Sequence, residues 1–205
     1  MNKHLIALAS TLLIAGTSSA YAASTVDLAV KGIITPNACT PTLSGGGVID
    51  HGKMSAKDLN ATAITPLPAA SLQMTMICDS QIEFALKATD NRATSGTGSY
   101  FGMGLINGNQ KLGFYSLELT TPLADTEAVQ SIASFDGGTT WEPYTSFENG
   151  LLLSVATMAD SSTPRATQSL VANIDYRGYI NRTDGLDLSN EVNIDGSATI
   201  EVIYR

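Results

Sequence analysis

Apolar and polar residues alternate in short runs along most of this chain. Side chains of an extended strand point to opposite faces with period 2, so such runs predict half-buried β-strands. In residues 24–34, Val26, Leu28, Val30, Gly32 and Ile34 share one face, and Thr25, Asp27 and Lys31 share the other. Leu72, Met74, Met76 and Cys78 are in phase, as are Ile82, Phe84 and Leu86, and Asp79-Ser80-Gln81 between them predicts a tight hairpin. Tyr115, Leu117 and Leu119 predict a strand ended by Pro122. Residues 128–135 and 141–145 flank Asp136-Gly137-Gly138-Thr139, a hairpin signal. Residues 151–158 and the set Leu170, Ala172, Ile174 and Tyr176 predict two more strands. In the last run, 198–205, Ala198, Ile200, Val202 and Tyr204 share a face.

The stretches between these runs carry turn residues, and long helical patterns are missing. The pattern therefore predicts an all-β sandwich or barrel. Residues 44–47 (Ser-Gly-Gly-Gly) read as a flexible turn, and residues 54–60 as one helical turn with Ser55 as its N-cap. Pro66 and Pro68 mark a connection or an edge. Residues 89–113 are polar and glycine-rich, a long loop or a set of irregular strands, with 95–108 read as a surface loop. Leu186, Leu188, Val192 and Ile194 suggest short pieces of strand.

Composition adds a compartment. A basic start, an apolar stretch from Leu5 to Ile14 and Ala20-Tyr21-Ala22 make residues 1–22 a secretory signal peptide. The expectation is an exported chain of one domain, without membrane insertion. With 11 basic against 19 acidic residues the net charge is −8, which argues against nucleic acid and anionic membranes as partners. The two cysteines, Cys39 and Cys78, read as one disulfide in an oxidising compartment. Closing a loop of about 40 residues is worth roughly 4 kcal/mol in the chain-entropy picture. No metal site or cofactor is expected, because His51 is the one histidine beyond the signal and the cysteines lack ligand spacing.

Several of these features occur together: Gly32 seven residues before Cys39, Cys78 ending a strand, the segment Val48-Ile49-Asp50-His51-Gly52, and the penultimate Tyr204 in an alternating terminal strand. In this the chain resembles the chaperone–usher fimbrial (pilin) subunits, as a divergent fimbria-like branch. His51 stands where an aromatic ring is commoner in that family, and Val192 where a glycine is frequent. The resemblance implies an incomplete immunoglobulin-like sandwich over residues 38–205, preceded by a donor-strand extension over 23–37. It implies that Val26, Leu28, Val30, Gly32 and Ile34 form a donor strand, and that Ala198, Ile200, Val202 and Tyr204 line the groove that pairs with a chaperone. It further implies a structural role in a cell-surface fimbrium supporting adhesion, reached through the periplasm. The implied partners are a periplasmic fimbrial chaperone, an outer-membrane usher and neighbouring subunits in a linear polymer, joined by β-strand addition.

Catalytic chemistry has little to draw on: a Ser–His or Cys–His site would have to use His51, and neither a nucleophile elbow nor a phosphate loop is present. The expectation is a protein that is not an enzyme. Residues 134–141, Ser-Phe-Asp-Gly-Gly-Thr-Thr-Trp, match the Asp-box pattern S-x-D-x-G-x-T-W. The resemblance to that motif implies a stapled hairpin with the tryptophan packed beneath. The alternative function, a secreted self-complete β-sandwich binding carbohydrate, would use Trp141 and Tyr144 as a stacking platform.

Overall fold

The computed structural model describes residues 29–30 and 38–205. Over these residues the chain is all-β, as the alternation predicts. The strands are β1 (Cys39–Leu43), β2 (Thr65–Pro66), β3 (Ala70–Ile82), β4 (Phe84–Asp90), β5 (Phe101–Gly102), β6 (Leu105–Ile106) and β7 (Gln110–Lys111). They continue with β8 (Gly113–Ala124), β9 (Glu127–Ser134), β10 (Glu142–Pro143), β11 (Ser146–Phe147), β12 (Leu152–Thr157), β13 (Thr167–Ile180) and β14 (Ala198–Tyr204).

The principal strands form one antiparallel path in the order β1-β3-β13-β8-β9-β12-β4-β14. The path folds over at the β8–β9 turn, where Leu123 pairs with Ala128 and Ala124 with Glu127. This brings β1-β3-β13-β8 against β9-β12-β4-β14 as two layers of a sandwich. Alternation puts Met74, Met76, Leu119, Leu170 and Ile174 of the first layer against Phe84, Leu86, Leu153 and Val155 of the second, all buried. The intervening residues of the second layer, Ala85, Ile132 and Ala156, face outward and are covered by Trp141 from the hairpin after β9. Cys39 and Cys78 sit directly opposite each other on β1 and β3 and are joined by a disulfide.

Several predicted connections differ. Asp79-Ser80-Gln81 is not a hairpin: β3 runs unbroken to Ile82, and after Glu83 the chain crosses into the other layer, where β4 pairs with β12 and β14. The two in-phase runs were parts of one continuous alternation, which carries no sign of where a strand changes sheets. Pro122 does not end β8. It lies where the β8–β13 register shifts, beside Thr121 at φ +46°, and a bulge tolerates the missing N–H. Ser55 precedes a short 3-10 turn, Ala56–Asp58, without making a side-chain cap. The 44–47 segment is likewise a 3-10 turn. Residues 95–108 are not simply a surface loop: Ser95, Phe101, Met103 and Ile106 are buried, and β5 pairs with β8. Leu186, Leu188, Val192 and Ile194 lie outside any strand, yet all four pack half-buried on the main core.

Candidate functional site

The two strands at the ends of the path, β1 and β14, carry the site. Each pairs on one side, β1 with β3 and β14 with β4. The Asn91 N–H donates to Ser197 O (3.0 Å) and the Arg205 N–H to Glu83 O (3.2 Å), which places the odd-numbered residues of β14 in the hydrogen-bonded pairs with β4. The backbone N–H and C=O of Ala198, Ile200 and Val202 therefore point away from β4, and no strand among the described residues takes them. Their side chains lie half-buried on the main core. By the same argument the Asp79 N–H to Ala38 O bond (3.0 Å) turns the backbone of Cys39, Pro41 and Leu43 outward from β1.

Both outward edges border one apolar trough of about 620 Å³. Its walls include Pro41 and Leu43 on one side and Ala198 and Ile200 on the other; its floor includes Leu72, Met74, Met103, Ile174, Tyr115 and Tyr176. A second trough of about 600 Å³ continues it, between residues 49–54 and 188–194, sharing Ile49, His51 and Ile194. At the opposite end the seam is closed: the Cys39 N–H donates to the Tyr204 hydroxyl at 2.8 Å. The two edges are chemically unequal. Cys39 has given its N–H to Tyr204 and Pro41 has none, whereas β14 presents three donors and three acceptors.

The floor carries no charge at neutral pH. Burial raises the Tyr176 hydroxyl to about 12, and burial, with Asp90 nearby, raises Tyr115 further. The Tyr176 hydroxyl is hydrogen-bonded to His51 Nε2 at 3.1 Å. Asp195, in the chain between the lining residues Ile194 and Gly196, is held below the usual carboxylate range by two hydrogen bonds from Arg92, each 2.8 Å.

The structure thus brings together Ala198, Ile200, Val202 and Tyr204 with the strand that opens at Cys39. Of the donor-strand residues, Val26, Leu28, Gly32 and Ile34 lie outside the described residues, as do the signal 1–22 and most of the 23–37 extension; Val30 is described and exposed. Trp141 is buried at 9 % exposure against Ala85, Ile132 and Ala156, with the Arg205 guanidinium carbon 5.3 Å from its ring centroid. It packs as a hairpin staple. Tyr144 is half-buried, hydrogen-bonded through its hydroxyl to Glu148 and edge-on to Phe135. Met103 and Tyr115 of the floor were not foreseen as site residues. Phe101 and Met103 do alternate within the glycine-rich stretch, a two-residue signal too short to separate from loop.

Comparison with known proteins finds one match to the first half of the chain and two relatives. A family model described as "Protein of unknown function (DUF1120)" matches residues 28–100, a span that includes β1, β3, β4 and the disulfide. The uncharacterized protein YhcF of Escherichia coli K12 is 26% identical over 234 residues, covering 94% of this chain and 98% of YhcF. The GltF protein of the same organism is 28% identical over 137 residues, covering 54% of each chain.

Proposed function

We propose that this protein is a structural subunit of a cell-surface fimbrium, assembled by donor-strand exchange through a chaperone–usher system and supporting adhesion. The observation that carries the reading is the seam: two unpaired strand edges facing each other across an apolar trough. An unpaired edge over exposed apolar surface is a template for another strand, and natural proteins blunt or cover such edges. Here β1 is blunted by Pro41 but β14 is not. A strand entering the seam gains a hydrogen-bond ladder along β14 and buries one apolar face. Residues 24–34 have that form, and burying each of Val26, Leu28, Val30 and Ile34 is worth about 1.5–3 kcal/mol before ordering costs.

In this reading a periplasmic chaperone fills the seam first, the outer-membrane usher mediates the exchange, and a neighbouring subunit's residues 23–34 replace the chaperone strand. A donor at one end of the molecule and an acceptor elsewhere make a heterologous contact, which propagates into an open linear polymer. The test is removal of residues 23–34. The truncated chain is expected to co-purify with its chaperone but to form no denaturant-resistant ladder. Normal polymerisation of the truncated chain overturns the donor-strand assignment.

A further inference from the structure

The Asp-box hairpin makes a contact that its turn geometry does not require. Asp136 organises the turn: its Oδ1 accepts the N–H groups of Thr139 and Thr140, each at 2.9 Å, and its Oδ2 accepts the Thr140 hydroxyl at 2.7 Å. The Ser134 hydroxyl accepts the Gly138 N–H at 2.6 Å. So held, the turn offers the Gly138 carbonyl to the last side chain of the sequence given: Arg205 Nη2 donates to it at 2.7 Å, with the guanidinium over Trp141. Gly138 sits at φ +97°, and a Cβ there would collide with the Arg205 guanidinium. Ile203 packs into the same outer cluster.

Side chains alternate along β14, so anchoring Ile203 and Arg205 on the outer face directs Tyr204 to the seam, where its hydroxyl meets the Cys39 N–H. A slip of one residue would turn Arg205 inward and Tyr204 outward, and would exchange every seam-facing residue of the strand for its neighbour. At the other end, the Asn91 side-chain amide donates to the Ser197 and Thr199 hydroxyls at 3.0 Å each, and Arg92 grips Asp195. The strand is thus held to its own layer at both ends while the backbone between faces the seam.

We propose that the Asp-box hairpin is a register clamp for β14, and that Arg205 is a positioning residue setting which face of the terminal strand an entering strand meets. The clamp follows from the contacts of β14 itself; that the entering strand is residues 24–34 rests on the proposed function. The test is residue-resolved amide hydrogen exchange on the mature chain, residues 23–205, with a synthetic peptide of residues 24–35 as the probe strand. Arg205→Ala is expected to lower protection of the Glu201 and Ile203 amides, which pair with β4, by about tenfold, with β3 and β13 amides unchanged. It is also expected to weaken peptide binding about tenfold, and Arg205→Lys, which keeps a cation over Trp141, recovers most of both losses. If the alanine variant does not fold, Thr140→Val, which removes one bond to Asp136, gives a smaller loss at the same two amides. Unchanged protection at Glu201 and Ile203, or a loss spread evenly over β3 and β13, overturns the clamp. A wild-type chain that ignores the peptide overturns the donor-strand reading, while the exchange pattern still decides the clamp.

Discussion

The two sides of the sandwich solve one problem in opposite ways. Between β8 and β9 the chain turns from one layer into the other through the Asp125-Thr126 turn, where both residues adopt positive φ and Asp125 Oδ1 accepts the Gln168 and Ser169 N–H groups. That side is sealed by its own backbone. Between β1 and β14 the same two layers end on unpaired edges, bridged by the one Tyr204–Cys39 bond at one end of the seam. The layers and the core are shared, so the difference is purely one of connectivity. A sandwich can be closed by its own backbone at one side while its other side ends, among the described residues, on two unpaired edges.

Mutations at the two sides should therefore report through different measurements. The largest effect belongs to the first layer's own edge: Cys39→Ser with Cys78→Ser removes the bridge between β1 and β3 and is expected to cost about 2–5 kcal/mol in denaturant unfolding of the isolated chain. On the sealed side, Leu119→Ala, at a fully buried position, is expected to cost a similar 2–5 kcal/mol, whether or not a strand fills the seam. On the open side, Ile200→Asp is expected to cost the unfilled chain less than Leu119→Ala, because Ile200 packs on the core but is only half-buried there. Its further cost appears on filling, as reduced periplasmic accumulation with a chaperone; Tyr204→Ala is expected to act in the same way, more weakly. Equal losses for Leu119→Ala and Ile200→Asp in the unfilled chain would erase the distinction between the sides.

The smallest effect is a pH dependence at the Asp-box. Asp136 is held well below the usual carboxylate range, first by the Thr140 N–H and then by the Ser134 and Thr140 hydroxyls. A depressed carboxylate stabilises the fold above its unfolded value, near pH 4, and that contribution is lost as pH falls toward its folded value. Wild type and Asp136→Asn should therefore differ in stability at pH 7 and converge below about pH 4. A gap that is constant with pH would show that the turn does not depend on the charge.

Much of this architecture was legible in the sequence because alternation is a local signal. The terminal strand, the core positions Tyr115, Leu117 and Leu119 and the Asp-box hairpin all follow from residues close in the chain, whereas the Cys39–Cys78 pair, 39 residues apart, follows from there being two cysteines in an exported chain. The crossing at Glu83 was not legible, since Leu72 to Leu86 keeps one phase through it and a strand that changes layers looks like a strand that continues. Leu186 to Ile194 misled in the opposite sense: their apolar side chains pack on the core from irregular backbone, so burial occurs without pairing. The seam itself could not be read from any segment. It exists because β1 and β14, about 160 residues apart, end the same path. Arg205 gave no signal, as a lone cation at the end of a strand looks solvated until its partner carbonyl at Gly138 is known.

The central claim is that the seam between β1 and β14 takes a strand from residues 24–34 of another copy. Its most direct test is intermolecular cysteine cross-linking, with Leu28→Cys in one copy and Ala198→Cys, Ile200→Cys or Val202→Cys in the other, oxidised during assembly. A reducible band at twice the subunit mass is expected for at least one of the three pairings, and none when the second cysteine is placed at the sealed side, as in Ala128→Cys. No intermolecular band at any of the three positions would contradict it.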